Sequence, residues 1–394
     1  MRDVYVAGVG MTPFKKYRDE KSVIDLGLEA TMSAIKDSGI QSKDIQIAYC
    51  GHARTGQLQG RESGVGQSIL WRLGISGIPV TGVGNFCASG GSAFRDAWMS
   101  VASGWCDVAL AIGVEKLSER REKGKPLTSD GLQLLSSLGF TPPAHYAQMA
   151  NRYSYEFGVS TDDFAWVAVK NRGNATMNPY AQYRTSVTVD EVLNSLMIVE
   201  PLTLLSCCPT GDGGAAALLC SQDYVKKYSP HKSQIKVSGI GLRSGVCQRL
   251  ASILDVKAER QTAMDAYDMS GIGPEDIDVA EVHDAFTPGE ILHYENLGFC
   301  APGEGMRLLL DGKTSILGEI AVNPSGGLLA KGHPLGATGL AQVTEIVWQL
   351  RGIAGDRQVP NAKVGLTHCS GGFPESPELG EGQSTSVIIL EKCF

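Results

Sequence analysis

The sequence predicts an α/β protein made of two similar halves, each with a largely parallel sheet, and a long insertion in the first half. Three observations carry this. Short runs rich in β-branched residues alternate with stretches of helical spacing, which is the mark of βαβ units. The segment DSGIQSKDIQIAYCGHA, from Asp37, aligns without gaps to MSGIGPEDIDVAEVHDA, from Met269, so the chain contains an internal repeat. Between the copies, over 116–200, the alternation weakens and polar residues dominate, as expected of a lid or binding loop laid over one face.

The elements follow in order. VYVAGVG, near the start, reads as a buried strand, KSVIDLGLEATMSAIKDSG as a helix, and IQIAYC and IPVTGV as strands. After Cys87 the apolar residues Phe94, Ala97, Trp98, Val101 and Trp105 recur at three- and four-residue spacing, which predicts a helix with one buried face. DVALAIGVE is the next strand, and SQIKVSGIGL, from Ser233, is expected to close the first half. The second copy of the repeat is followed by the glycine-rich turn NPSGGLLAKGHPLGATG, a helix through Leu340, Val343, Val347 and Leu350, and the strand KVGLTH. The boundaries expected are a first half over 1–115 and 201–250, an insertion over 116–200, and a second half over 251–394.

Composition narrows the function. With 394 residues and 43% hydrophobic content, the chain has enough apolar sequence for substantial cores. A net charge of -7 offers no electrostatic footprint for nucleic acid. No segment reaches the roughly 18 apolar residues of a membrane span, and the amino terminus lacks the pattern of a signal peptide. The ten cysteines form neither a C-x-x-C pair nor a disulfide framework, which points to the reducing cytoplasm. The 48 glycines, about 12% of the chain against an ordinary 7% or so, imply many tight turns or close backbone approaches. GVGMTPF holds a lone G-x-G without the context of a dinucleotide fingerprint.

Four positions stand out: Cys87 in NFCASGG, His283 in EVHDAFT, His333 in GGLLAKGHPLGATG and Cys369 in THCSGGF. A lone cysteine or histidine is ordinarily core, but these sit among glycines and small residues at inferred strand ends. A cysteine at a helix start meets free N–H groups and the helix dipole, which favour the thiolate, and an imidazole beside it completes the activation. Backbone N–H groups with a histidine form an oxyanion hole, and a second cysteine can move a proton. These are the parts of acyl transfer through a thioester. His145 and Met149, at i, i+4 spacing in the insertion, fit either an acyl pocket or core packing. The basic run KLSERREKGK, from Lys116, fits the phosphates of a ligand or solvated surface.

Together NFCASGG, EVHDAFT, NPSGGLLAKGHPLGATG and HCSGG resemble the thiolase family, and the His-Asp pair of EVHDAF resembles its sterol-carrier-type branch rather than the branch with Asn-Glu there. The resemblance implies the thiolase fold, five-layered αβαβα, built from two βαβαβαββ halves with a loop domain inserted in the first. It implies Cys87 as acyl-accepting nucleophile, His333 as its base, Cys369 as acid/base, and His283 as holder of the CoA-bound thioester oxygen. The amides of Cys87 and Gly371 would hold the acyl-side oxygen, and Ser325 and Gly326 would contact substrate. SCCPTGDGGAA, from Ser206, resembles the turn and strand returning from the loop domain, with Cys207 and Cys208 structural. No permanent cofactor or metal is implied; coenzyme A and acyl-CoA are substrates. A homodimer or tetramer is expected, with a small zinc-ribbon/OB-fold subunit as a further candidate partner. The alternatives are a related condensing enzyme, such as a ketoacyl or hydroxymethylglutaryl synthase, which lacks the second cysteine, and a non-catalytic acyl-CoA-binding scaffold. Short, branched and aromatic β-ketoacyl-CoAs are all open as substrates.

Overall fold

In the computed structural model, which describes residues 1–60, 63–118, 139–228, 234–246, 252–372 and 384–393, the repeat seen in the sequence becomes a repeat of topology. The first half contains β1 (Val4–Met11), α1 (Val23–Ser38), β2 (Ile47–Gly51), α2 (Val65–Arg72), β3 (Val80–Val83), α3 (Ser89–Ala102) and β4 (Val108–Lys116). The insertion contributes α4 (Pro142–Phe157), α5 (Ala165–Ala175) and the antiparallel pair β5 (Met197–Val199) and β6 (Leu202–Thr203); β7 (Asp212–Ser221) returns the chain to the sheet. The second half contains β8 (Gln234–Ser244), α6 (Lys257–Ser270), β9 (Val279–Glu281), α7 (Thr287–Asn296), β10 (Ala321–Val322), α8 (Gly327–Ala330), α9 (Leu335–Arg351), β11 (Val364–Gly371) and β12 (Ser384–Cys393).

The strands run β3-β2-β4-β7-β1 in one half and β10-β9-β11-β12-β8 in the other, which is the same order once β8 is matched to β1. That match corrects the expectation that the strand from Ser233 closes the first half. β8 pairs with β12 from Ser244 to Gln234, but with β1 only at Tyr5↔Lys236 and Val6↔Ile235. It opens the second half as β1 opens the first, and the short β1–β8 seam makes the ladder continuous. Both repeat segments end a helix on a left-handed glycine, Gly39 at φ 73° and Gly271 at φ 68°, and continue through a 3-10 turn into β2 or β9. Glycine takes that conformation without the Cβ penalty, so the same C-cap recurs.

Local chemistry accounts for the helices. Ser22 caps α1 in a reciprocal box with Asp25, and Val23, Ile24, Leu26, Ala30 and Ala34 form its buried face. α1 covers the outer face of β1, β7 and β4 with α2 beside it, while α6 covers β8 and β12. α3 and α9 lie between the half-sheets: α3 packs on β4 and β2, and α9 touches β7 and β4 on one side and β11 on the other. The layers are therefore αβαβα. In α3, Phe94, Ala97, Trp98 and Val101 are buried as expected, but Trp105 is 73% exposed. The helix stops at Ala102 and the chain reverses through Gly104 at φ 86°, which turns Trp105 off the apolar face.

Leu340, Val343, Ile346, Val347 and Leu350 of α9 are fully buried, each contributing about 1.5–3 kcal/mol. The two central helices meet through glycine: a Cβ on Gly90 would lie 2.9 Å from the Gly336 carbonyl oxygen, and one on Gly339 only 2.5 Å from the Gly91 nitrogen. Gly339→Ala should therefore destabilise by about 1–3 kcal/mol through overpacking, although alanine is favoured over glycine within a helix by about 1 kcal/mol. A melting midpoint equal to or above wild type at one scan rate would contradict this contact.

Candidate active site

The starts of the two central helices converge, and the sequence-predicted residues meet there. Cys87 lies on the turn from β3 to α3, where Phe86 adopts φ 50°, a conformation non-glycine residues rarely take. That bend places the Cys87 sulfur 3.1 Å from Nε2 of His333, which precedes α9. Cys369, near the end of β11, lies on the same turn: its thiol donates to the Cys87 carbonyl at 3.1 Å, and its sulfur is 3.5 Å from Nδ1 of His283. His283 follows β9, and its ring stands edge-on to that of His333 with centroids 5.0 Å apart. Four positions distant in sequence thus form one cluster.

Thr338, which the sequence reading missed, decides the His333 tautomer. Its hydroxyl donates to the Pro334 carbonyl at 3.0 Å, so the same oxygen accepts from Nδ1–H of His333 at 2.8 Å. The Nε2 lone pair then faces the Cys87 thiol. A hydroxyl in the first turn after GHP was the available signal. On the other side of the turn, buried Glu115 accepts from the amides of Ala53, Arg54 and Gly336, tying the loop after β2 to the start of α9.

The electrostatics differ from the helix-start expectation. Burial, with the charge of Glu115, pushes the Cys87 thiol up to about 12, while Arg54 and the amides of Cys87 and Gly372 oppose the rise. Burial also carries His333 down to about 3. The resting pair is neutral thiol and neutral imidazole, an arrangement in which the imidazole can take the thiol proton. Burial and the charge of Cys87 likewise raise Cys369, against Lys331, whose ammonium bonds Glu281 at 2.9 Å in the interior.

The other expected residues are placed as follows. Gly371 pairs with Ser384 in the β11–β12 ladder, and a Cβ on it would lie 2.6 Å from the Asn85 carbonyl oxygen and 2.7 Å from the Ala88 nitrogen. Ser325 is buried and its hydroxyl donates to Glu281 at 2.6 Å, while Gly326 presses on Ala175 of α5. Met149 lies in an apolar cluster with Tyr153, Ile291 and Tyr294, and the buried His145 ring stands edge-on to Phe140 and Tyr146. Tyr146 of α4 is half-buried, its ring tilted against Phe286 with centroids 4.7 Å apart; burial, then the charge of Glu259, raises its pKa, with smaller contributions from Cys87, Cys208 and Cys369. Cys207 bonds the Thr203 carbonyl, whereas Cys208 lies near enough to Cys87 for that thiol to raise its pKa. The basic run from Lys116 lies, from position 119 on, outside the described residues.

Asp284 has a supporting place. Its carboxylate accepts from the Leu328 amide at 2.6 Å and from Asn171 at 2.7 Å, joining the His283 loop, α8 and the insertion. Burial and the nearby Glu290 raise its pKa to about 7.

Comparison with known proteins agrees with this geometry. The N-terminal thiolase domain model matches residues 4–223 and the model for the C-terminal domain-like region matches 241–379. The chain belongs to the thiolase family. An acetyl-CoA acetyltransferase of Methanothermobacter thermautotrophicus is 42% identical over 94% of this chain and 97% of its own length. The benzoylsuccinyl-CoA thiolase subunit BbsB of Thauera aromatica is 39% identical over 94% and 95%. Among solved structures, the Ltp2-ChsH2(DUF35) aldolase superposes with a TM-score of 0.84 at 27% identity, covering 99% of this chain and 98% of that one. Human mitochondrial 3-ketoacyl-CoA thiolase in complex with CoA reaches 0.73 at 18% identity, covering 100% and 98%, and shares the fold. This thiolase is an acyltransferase that works on coenzyme A thioesters.

Two outcomes follow from the site. Thr338→Val should slow Cys87 acylation by roughly 10–100-fold, a part of what general-base catalysis supplies, while the melt stays close to wild type. The raised thiol pKa means that the fraction of thiolate is still climbing above pH 9, so the rate of Cys87 alkylation by iodoacetamide in the free enzyme should rise through pH 9. A plateau near pH 7 would show a pre-formed thiolate instead.

Proposed function

We propose that this thiolase cleaves a β-ketoacyl-CoA with free CoA, or runs the reverse Claisen condensation, by a ping-pong route through an acyl thioester on Cys87. The observation that carries this reading is the contact of Cys87 with both His333 and Cys369.

The geometry supports the following sequence. As the Cys87 sulfur adds to the β-keto carbonyl carbon, Nε2 of His333 takes the thiol proton. The tetrahedral oxyanion is met by the amides of Cys87 and Gly371. Collapse breaks the bond between the α and β carbons and leaves its electron pair as the enolate of the shorter acyl-CoA. His283 holds that enolate oxygen, and the Cys369 thiol gives its proton to the α carbon. The incoming CoA thiol returns a proton to the Cys369 thiolate and its sulfur takes the acyl group. His333 then returns its proton to the Cys87 sulfur. The neutral resting pair fits this cycle, since neither reacting group carries a buried charge before substrate arrives.

Cys369 at the site separates the reading from a synthase-type condensing enzyme, and a complete nucleophile and base separate it from a scaffold. The names of the two relatives bracket the acyl group between acetyl and an aromatic benzoylsuccinyl. The ring of Tyr146 on Phe286 offers the acyl end an aromatic wall from the insertion. A partner subunit, of the small zinc-ribbon/OB-fold kind, has the support of one relative that is a subunit and one structural neighbour whose name includes a DUF35 component. Self-association as a dimer or tetramer and a cytoplasmic setting complete the reading. No helix among the described residues is long and apolar enough to cross a membrane.

Incubation with short, branched and aromatic β-ketoacyl-CoAs followed by peptide mass measurement should find an acyl group on Cys87 that free CoA removes. No adduct from any of them, alone or with a partner, would end the thiolase reading. Cys369→Ala should still acylate Cys87 from a simple acyl-CoA while thiolytic turnover falls roughly 10²–10⁴-fold, the share of a positioned acid/base.

A further inference from the structure

His283 is gripped by its backbone, and the grip comes from residues outside the cluster just described. On one side the carbonyl of His283 lies 3.0 Å from Nε2 of His293 in α7. On the other its amide donates to Nδ1 of His368 at 3.5 Å. Nδ1 of His293 is hydrogen-bonded to Glu259 in α6 at 2.7 Å, while Nε2 of His368 faces the same oxygen at 3.6 Å, beyond hydrogen-bond range. Asn296 donates to the second Glu259 oxygen at 3.3 Å. Glu259, His293 and His368 are 2%, 5% and 0% exposed, and the two histidine rings lie 4.3 Å apart. His368 precedes Cys369 on β11, and successive strand residues face opposite ways, so one strand presents a thiol to the catalytic turn and an imidazole to this carboxylate.

The hydrogen bonds assign the protons. Nε2–H of His293 donates to the His283 carbonyl and its Nδ1–H to Glu259, so this ring carries both protons and a positive charge opposite the carboxylate. Against the cost of burial, Glu259 and the charge of Asp284 favour that charged form. The other titratable groups around the ring are His368 on β11 and His283 beside Asp284. His368 accepts at Nδ1 from the His283 amide, which leaves its proton on Nε2, pointing toward Glu259. The trio has the composition of a metal site, but a metal would need the Nε2 lone pair of His368 and would leave Nδ1–H facing the His283 amide, donor against donor.

We propose that Glu259 is a positioning residue: through its hydrogen bond to His293 it fixes the carbonyl of His283, with His368 packed between Glu259 and the His283 amide, and so sets the place of the ring that meets the CoA-bound thioester oxygen. This rests on the reading of His283 given above. Its consequence is selective. On the reading above, the acyl-side oxyanion is held by the amides of Cys87 and Gly371, so loss of the grip should impair formation of the enolate and spare acylation of Cys87. A residue that merely supports the fold would reduce both.

The test compares two rates in the full-length protein with acetyl-CoA: acylation of Cys87 by mass, and exchange of the acetyl α-protons in D2O, which requires the enolate. Wild type should do both; absence of either would overturn the reading of the site itself. Glu259→Gln should acylate near the wild-type rate while exchange falls roughly 10–100-fold, the effect of a displaced catalytic group. His293→Leu should behave alike, and His293→Gln, which keeps a donor for the His283 carbonyl, should recover part of the exchange; this pair carries the test if Glu259→Gln does not fold. Equal loss of both rates, or no loss of exchange, would overturn the proposal. So would a stoichiometric divalent metal in the purified protein that disappears with Glu259→Gln.

Discussion

Everything at the reactive centre depends on how closely the two central helices approach. α3 and α9 cross where backbone lies against backbone, because Gly90, Gly91, Gly336 and Gly339 present no side chain at the crossing. A wider gap, such as any larger residue would impose, would carry the Cys87 sulfur away from the His333 ring at the ends of those same helices. The half-sheets on either side hold the pair in a fixed sandwich, and the densely buried apolar residues of α9 resist sliding. Catalytic geometry here is thus a property of core packing as much as of the residues that react.

Low polarity around the centre has two effects. It keeps thiol and imidazole neutral at rest, and it strengthens any hydrogen bond aimed at a developing oxyanion. Charged groups are nevertheless present around the site, each matched: Lys331 with Glu281, Glu290 with Lys170 at 2.5 Å, His293 with Glu259, and Glu115 with three backbone amides. These matched charges locate loops, not substrate, which suits groups that sit behind the reacting atoms.

Much of this was legible in the sequence, and the limits are instructive. The alternation of strands and helices, the repeat and the four motifs pointed to the fold and to Cys87, His283, His333 and Cys369, because glycine-rich turns and unusual residues in them leave local marks. The side of the sheet to which β8 belongs was not legible, since strand pairing is settled by distant partners such as β12. Trp105 kept the helical spacing past the residue where α3 stops. Thr338, Tyr146 and Glu259 carry no motif; their importance arises from contacts with residues far away in the chain. His145 and Met149 had helical spacing, and in α4 both are buried, Met149 in an apolar cluster and His145 edge-on to Phe140 and Tyr146.

The repeat has one more consequence, visible in where β9 ends. By the alignment of the two copies, Gly51 of β2 matches His283, yet β2 still runs through Gly51 while β9 has already stopped at Glu281. The two copies share a scaffold and diverge at its rim: one closes its strand against neighbours, and the other stops two residues earlier and leaves His283 at the candidate site. Cys87 and His333 likewise occupy corresponding corners, each just ahead of a central helix. On the proposed mechanism, duplication of the fold becomes a division of labour, in which one copy supplies the atom that attacks and the other the atom that takes its proton.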